Sequence, residues 1–283
     1  MRMRRAWASA AIHSGRIIWL LIAGRYADLP VLSVLPVLKL RTLKLSQILF
    51  SQGFGSRREC DGLIVSGQVT LGAETCDDPA RELAVETRGL VFGVRGELWP
   101  YHAKALLLLN KPAGYECSQK PKHHPSVYSL LPSPLRRRDI QAVGRLDADT
   151  TGLLLLTDDG QLIHRLTSPK HHVPKVYDLG CAETVDDRQL SQLLEGVILH
   201  DARTPVRAAA CEITGERQMR LTLTEGKYHQ VKRMLAAVGN SVETLHRSAF
   251  GALTLPRDLA PGQWRWLEGP QVLYKNCVAD APS

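Results

Sequence analysis

Residues 144–160 read G-R-L-D-A-D-T-T-G-L-L-L-L-T-D-D-G, and this stretch decides how the rest of the chain is interpreted. A polar loop with one arginine and two acids leads into four consecutive leucines of buried-strand length, and an Asp-Gly pair indicates a turn at their end. This order holds a carboxylate at the edge of an apolar core, where it needs a neighbouring cation because burial otherwise raises its pKa. Spacing alone leaves two interpretations open for Asp147 and Asp149, a catalytic carboxylate or the cap of a turn.

Two flanking segments also have predictable structure. Upstream, Ala105–Leu109 is an apolar run of strand length that ends in a turn signal. Downstream, apolar residues recur at i, i+3, i+4 and i+7 from Val231, which predicts an amphipathic helix ended by Gly239. The polar side of that helix carries His229, Lys232 and Arg233.

A pair of short helices is predicted from Leu45 onwards. Apolar residues at i, i+3 and i+4 from Leu45 indicate the first helix, and Ser56-Arg57-Arg58-Glu59 is a capping box at the start of the second. Arg57 and Arg58 then lie in the first turn of a helix, beside amide donors that have no partner within the helix. This position predicts either a phosphate clamp or two solvated cations.

The net charge is a poor guide to binding. The 36 Lys+Arg and 28 Asp+Glu residues give a formal charge of +8. Residues 1–41 hold seven basic residues and one acid, so they carry +6 of this charge and residues 42–283 carry only +2. Nucleic-acid binding must therefore depend on local clusters. One cluster runs from Lys111 to Arg138, where phosphate contact competes with a merely solvated surface.

Several classes of protein are disfavoured by composition and spacing. The six cysteines include no C-x-x-C pair, which favours a reducing cytoplasm, and the histidines form no H-E-x-x-H motif, so no metal site is expected. The uninterrupted apolar run Ile17–Ala23 is too short to span a bilayer. We interpret residues 1–41 as an extension outside the fold, with an organellar presequence and an upstream mis-start as alternatives.

The stretch from 144 to 160 resembles the catalytic signature of the pseudouridine synthases, in the branch typified by the small-subunit ribosomal synthase RsuA. Residues 45–71, with S-R-R-E and I-x-x-G-x-V, resemble an S4 RNA-binding domain. Other segments agree with the same synthase branch in chain order: Leu109-Asn110-Lys111-Pro112-x-Gly114-Tyr115, His164–His172, Lys175-Val176-Tyr177, Glu225–Met234, His246-Arg247 and Leu259–Gly262.

The resemblance implies an α/β (α+β) fold. We expect a small S4-like RNA-binding module and a catalytic domain built on a mixed, largely antiparallel β-sheet with flanking helices. The implied division is an extension at 1–41, the S4-like module and a linker at 42–100, the catalytic domain at 101–270 and a tail at 271–283. The polar linker is expected around residues 95–97.

The resemblance also implies roles for single residues. Asp147 is the expected catalytic acid, and Asp149 is a neighbour without that role. Tyr177 is expected to pack on the target base and take its C5 proton, and Lys232 to pair with Asp147. Arg145 is expected to help displace the target nucleotide. The remaining expected RNA contacts are Arg57, Arg58, Lys111, Lys227 and Arg233.

The implied activity is that of an isomerase which converts a uridine of small-subunit (16S) ribosomal RNA to pseudouridine, with base flipping and neither metal nor cofactor. A synthase for large-subunit (23S) rRNA, a non-catalytic S4-type RNA-binding protein and, more remotely, a metal-dependent hydrolase are the alternatives. The expected partner is 16S rRNA or a partly assembled small ribosomal subunit. We expect a cytoplasmic monomer without membrane association.

Overall fold

The computed structural model describes residues 41–85, 89–200 and 204–274. From residue 41 onwards, the described residues belong to one compact unit. The expected extension at 1–41 lies outside the described residues except for Arg41, and the expected tail is described only as far as Tyr274.

Helices and strands alternate irregularly along the described chain. The α-helices are α1 (Leu45–Ser51), α2 (Arg57–Val65), α3 (Ser133–Arg137), α4 (Gly160–Thr167), α5 (Asp187–Glu195) and α6 (Gln230–Ala237). The strands are β1 (Thr42–Lys44), β2 (Val69–Leu71), β3 (Glu74–Cys76), β4 (Glu82–Ala84), β5 (Val91–Val94), β6 (Glu97–Pro100), β7 (Leu106–Lys111), β8 (Gln141–Ala142), β9 (Thr151–Thr157), β10 (Lys175–Cys181), β11 (Ala210–Gly215), β12 (Gln218–Leu223), β13 (Val242–Phe250), β14 (Leu253–Thr254) and β15 (Trp264–Trp266). None of the helices in the described ranges has both the length and the apolar character needed to cross a bilayer.

One large sheet organises the second part of the chain. Its strand order is β11-β12-β10-β13-β9-β7-β15, with β14 on β13 and β8 on β9. Within the described residues its pairings are antiparallel, except for the parallel contact of β9 with β13. A four-stranded sheet (β3-β2-β5-β6) and the β1–β4 pair lie with α1 and α2 between residues 42 and 100, the part of the compact unit that is called the N-terminal module below. The expected mixed, largely antiparallel sheet with flanking helices is confirmed.

The leucine run of β9 is explained by its central place in this sheet. Leu154 and Leu156 pack into the larger apolar core on one face, and Leu153 and Leu155 pack into a second core on the other. A strand that is covered on both faces needs apolar residues at every position, because successive side chains point to opposite sides. The same alternation holds along β7, whose leucines are also divided between the two cores.

Two predicted connections differ in the structure. The Asp-Gly pair after β9 does not form a turn: Asp159 caps α4, and its Oδ1 accepts hydrogen bonds from the amides of Gln161 (3.0 Å) and Leu162 (3.2 Å). Aspartate favours helix N-caps as strongly as turns, so the pair by itself was ambiguous. Arg95-Gly96 is not a linker but the two-residue turn of the β5–β6 hairpin, with positive φ at both residues.

The N-terminal module is fixed to the rest of the unit through a buried arginine. Arg138 Nε donates to Asp158 Oδ2 (2.6 Å), its Nη1 to Gln52 Oε1 (2.6 Å) and its Nη2 to the His102 carbonyl (2.5 Å). Gln52 is itself fully buried at the end of α1. Arg138 therefore joins the helical module to the end of β9 and is not a solvated part of the predicted basic cluster.

Candidate active site

A cavity of about 370 Å³ lies beside the loop that precedes β9. Its size falls in the range of about 300–1,000 Å³ that is usual for small-ligand sites. Five of the residues predicted from the sequence line it: Arg145, Asp147, Tyr177, Lys227 and Lys232. Tertiary folding thus brings together residues that are separated by up to 87 positions in the chain.

Asp147 lies in this loop, before β9 begins at Thr151, and about a third of its side chain is exposed. Its Oδ1 is 3.3 Å from His229 Nε2, and its Oδ2 is 3.9 Å from Lys232 Nζ. The carboxylate is therefore reachable from the cavity while two basic side chains lie next to it. This geometry suits a group that attacks a substrate atom or removes a proton from it.

Lys232 pairs more closely with Asp149 than with Asp147. Its Nζ lies 2.9 Å from Asp149 Oδ1 and 2.6 Å from Asp149 Oδ2. The hydrogen bond from Lys232 is the main cause that lowers the pKa of the Asp149 carboxyl. The expected pairing of Lys232 with Asp147 is present at 3.9 Å, and the structure adds that the lysine bridges both acids and is held more closely by Asp149, which was expected to have no role.

Tyr177 belongs to the wall that β10 and β13 form together. In the pairing of these strands Lys175 is opposite Phe250, Val176 is opposite Ala249 and Tyr177 is opposite Arg247. Ser248 has no partner of its own, so it forms a β-bulge. Because of this extra residue, Arg247 and Phe250 both join the face of β10 that carries Lys175 and Tyr177. All four line the cavity.

Lys111 was expected to contact RNA, but in the structure it is buried with no exposed surface. Its Nζ donates to the carbonyl oxygens of Thr150 (2.8 Å), Pro112 (3.0 Å) and Ala148 (3.1 Å). Burial is the main cause that lowers the pKa of this lysine. Two of the three carbonyls belong to the loop that carries Asp147, so the buried Lys111 stabilises the conformation of that loop.

The other predicted RNA contacts are placed on the surface. Arg57 and Arg58 are exposed at the start of α2, where the predicted capping box is present, and the Arg57 guanidinium lies 5.2 Å from the Phe50 ring centroid. Arg145 and Lys227 are exposed at the cavity. Arg233 is half-buried on α6, outside the cavity lining, and its Nη1 donates to the Tyr228 carbonyl (3.2 Å). The amphipathic helix predicted from Val231 is confirmed.

Sequence reasoning missed three cavity residues as functional candidates. His229 was assigned only to the polar side of a helix, yet among the residues that the structure describes it makes the shortest ion-pair contact with Asp147. Its backbone has a positive φ of 48°, which turns the chain directly before α6. Lys175 and Arg247 lay in segments already noted, but a single sequence gives no sign that these two cations are buried.

Residues 105–237 match the model of a family described as RNA pseudouridylate synthase. The matched range contains Asp147, Tyr177 and Lys232. Together with the relatives that follow, this match shows that the chain belongs to the RNA pseudouridylate synthase family.

Curated relatives extend the likeness over most of the chain. The chain is 42% identical over 223 residues to the ribosomal small subunit pseudouridine synthase A of Escherichia coli strain K12. The matched residues cover 78% of this chain and 95% of that protein. The protein of the same name from Pasteurella multocida is 43% identical over 184 residues, covering 65% and 79% respectively. A solved structure described as a pseudouridylate synthase is 35% identical, covers 80% of this chain and 96% of its own, and has a TM-score of 0.56.

Proposed function

We propose that this enzyme isomerises a uridine in small-subunit ribosomal RNA to pseudouridine, with Asp147 as the catalytic carboxylate. The single observation that carries the proposal is the position of Asp147: its partly exposed carboxylate borders a cavity of about 370 Å³ whose wall contains Tyr177. The names of the curated relatives support the small-subunit substrate.

The reaction requires that the C1′–N1 bond of the uridine breaks and a C1′–C5 bond forms. A carboxylate assists by attacking the sugar or the base, or by removing a ribose proton. The position of Asp147 is compatible with each of these routes. Tyr177 is 8% exposed and offers a ring on which the target base stacks. Its hydroxyl is our candidate relay: the oxygen accepts the proton that leaves C5 while the hydroxyl passes its own proton on, so that one proton is finally bound at N1.

The target base reaches the cavity only if it leaves the RNA stack, at a cost of a few kcal/mol. Arg145 and Lys227, exposed beside the cavity, are suited to hold the backbone of the displaced nucleotide. Arg57 and Arg58 on the N-terminal module supply a second contact, which we assign to phosphates of an S4-type RNA site. Because Arg138 fixes that module to the catalytic sheet, the second contact also orients the target strand.

We further propose that the enzyme acts in the cytoplasm as a monomer, on 16S rRNA or on a partly assembled small subunit. Incubation of the purified protein with each substrate distinguishes the two. Sedimentation of the active protein with its substrate measures the number of copies bound.

The test is pseudouridine mapping in small-subunit and large-subunit rRNA from a strain without this enzyme, after rescue with wild type, Asp147→Asn or Asp187→Asn. Asp187 is an exposed acid on α5, outside the cavity lining, and serves as the matched control. We expect one site to return with wild type and with the control, but not with Asp147→Asn. Return of the site with Asp147→Asn refutes the role of Asp147, and a site that appears only in large-subunit rRNA refutes the proposed substrate.

A further inference from the structure

Two buried cations form the wall of the cavity, and the reaction outlined above does not use them. Lys175 is 9% exposed and Arg247 is 2% exposed, and both line the cavity beside Tyr177. Their cationic groups lie 5.4 Å and 5.3 Å from the centroid of the same aromatic ring, that of Phe250. Two positive charges close to one another at low exposure are costly unless an anion or strong acceptor meets them.

The protein itself satisfies these cations only in part. Among the described residues, Lys175 Nζ donates to the Val173 carbonyl (2.9 Å) and Arg247 Nε donates to the Leu153 carbonyl (2.8 Å). Arg247 Nη2 is buried and has no hydrogen-bond partner within that part of the chain. No ion pair within 4 Å joins either cation to a described carboxylate.

A second orphaned polar atom lies at the same place. Thr150 Oγ1 is buried without a partner in the described structure, and Thr150 also lines the cavity. Buried polar atoms without partners are rare in folded proteins and are expected where a ligand or water completes them. Here they occur where the proposed function requires the target base to enter.

We propose that Arg247 and Lys175 donate hydrogen bonds to the carbonyl oxygens of the flipped uracil and stabilise the negative charge that develops on the base. This inference rests on the proposed function. When the C1′–N1 bond breaks, its electron pair stays on the base and is delocalised onto O2 and O4. The base then bonds to C1′ through C5, loses the C5 proton and gains one at N1, so atoms and charge balance without a co-reactant.

The burial of Arg247 and Lys175 favours the uracil base over a phosphate as the group that these two cations bind. Both cations are buried on the face that carries Tyr177 and Phe250, so an aromatic surface and the donors are presented together. Exposed Arg145 and Lys227 are better suited to phosphates, which remain partly hydrated. Burial, with a further contribution from Arg247, lowers the pKa of Lys175 to about 8, so the ammonium is still largely protonated near neutral pH.

The experiment replaces a carbonyl oxygen of the target base by sulfur, a weaker acceptor. Single-turnover isomerisation is measured on RNA with uridine, 2-thiouridine or 4-thiouridine at the mapped site, using wild type, Arg247→Met and Lys175→Met. On uridine we expect each variant to lower the single-turnover rate constant by about 10²–10³-fold, as loss of one donor to a developing oxyanion does. The sulfur effect is the factor by which a thiouridine slows the reaction relative to uridine. At the oxygen that a cation contacts, this factor should be at least about 3-fold smaller in the variant than in wild type, because the effects of two changes to groups in direct contact are not additive.

Arg220→Met is the matched control, since Arg220 is a cation on the neighbouring strand β12 that pairs with Asp178 and Glu212 and lies outside the cavity lining. It should keep the wild-type sulfur effect. Thermal unfolding checks each variant, and Lys175→Met carries the test if Arg247→Met does not fold. If the folded variants show the same sulfur effect as wild type at O2 and also at O4, the inference is overturned. A wild type that makes no pseudouridine refutes the proposed function itself, and the inference falls with it.

Discussion

The ammonium of Lys232 lies 2.6 Å from Oδ2 of Asp149 but 3.9 Å from Oδ2 of Asp147. The shorter contact involves an acid whose side chain is 69% exposed, and the longer one an acid that borders the cavity. Lys232 is therefore held in place by one carboxylate and lends its charge to another. The candidate catalytic group keeps a nearby cation without being closed off by a tight ion pair.

This division of roles predicts different outcomes for substitutions of Asp149 and Lys232. Asp149→Asn should change turnover by less than about 10-fold, because the exposed pair contributes little stability and Lys232 can still approach Asp147. Lys232→Met removes the cation from both acids and should lower turnover by about 10- to 100-fold. Single-turnover isomerisation measures both, with Asp258→Asn, which breaks an exposed pair with Arg265, as control. A larger loss for Asp149→Asn than for Lys232→Met would contradict the assignment.

Lys111→Met should weaken the loop that carries Asp147. The substitution leaves three backbone carbonyls without their buried donor, which we expect to cost about 3 kcal/mol of unfolding free energy. Turnover of the folded fraction should fall at least about tenfold, because the displaced carboxylate no longer meets the substrate in the required geometry. Urea unfolding and single-turnover rates measure the two effects. The exposed Lys104 provides the control Lys104→Met, and an equal stability of the two variants would refute the proposed support.

Gly152→Ala should displace β13 from β9. Gly152 has a φ of 101° and lies opposite Arg247 in the parallel pairing, where a Cβ atom would collide with the Arg247 carbonyl oxygen. We expect a loss of at least about 1–3 kcal/mol. Gly160→Ala is the control, since Gly160 begins α4 with open space around it and alanine favours helix. Thermal unfolding that ranks the two variants the other way round would contradict the steric explanation.

Arg138→Met should loosen the N-terminal module. The substitution leaves Asp158, which is 14% exposed, without its cation. It also removes the hydrogen bond that Arg138 donates to Gln52 Oε1. Removal of one partner from such a buried pair costs about 3–5 kcal/mol. Limited proteolysis should then cut the chain between α1 and β7 sooner than in wild type. The exposed neighbour Arg137, changed to Met, should leave the cleavage rate unaltered.

The loop at 122–124 should be sensitive to acid. Glu116 accepts hydrogen bonds from the amides of Lys122, His123 and His124, and these bonds lower its pKa from 4.5 to about 2. Because the folded-state pKa is depressed, this contribution to stability is fully present above about pH 4.5 and is lost as the pH falls towards 2. Amide chemical shifts of the three residues should titrate in that window in wild type. A Glu116→Gln variant that gives the same titration would show that another group is responsible.

The elements that short-range physics controls were predictable from the sequence. The capping box at Ser56, the helix from Val231 and the strand within 153–156 follow from side-chain periodicity and local hydrogen bonding, and the structure contains all three. The connections at Asp159-Gly160 and Arg95-Gly96 were not predictable from periodicity and local hydrogen bonding. The same residues favour several tight connections, and the neighbouring elements select among them.

Burial separated the candidate cations into different roles. Lys111, Arg138, Lys175 and Arg247 appear in the sequence as ordinary basic residues near other basic residues, but all four are buried. A charged side chain is buried only where backbone carbonyls, a carboxylate or a ligand can meet it. These partners come from distant parts of the chain, so no local pattern reveals them.

The sequence by itself determined the leucine-rich strand and the loop that carries Asp147, because these depend on residues adjacent in the chain, and its resemblance to the synthase branch implied the class of fold. Only the tertiary structure decided that Lys232 is held by Asp149, that His229 lies beside Asp147 and that a bulge at Ser248 turns Arg247 into the cavity wall. The physical reason is that strand register and side-chain burial are set by the packing of whole elements against one another. A displacement of one residue in register changes which side chains meet.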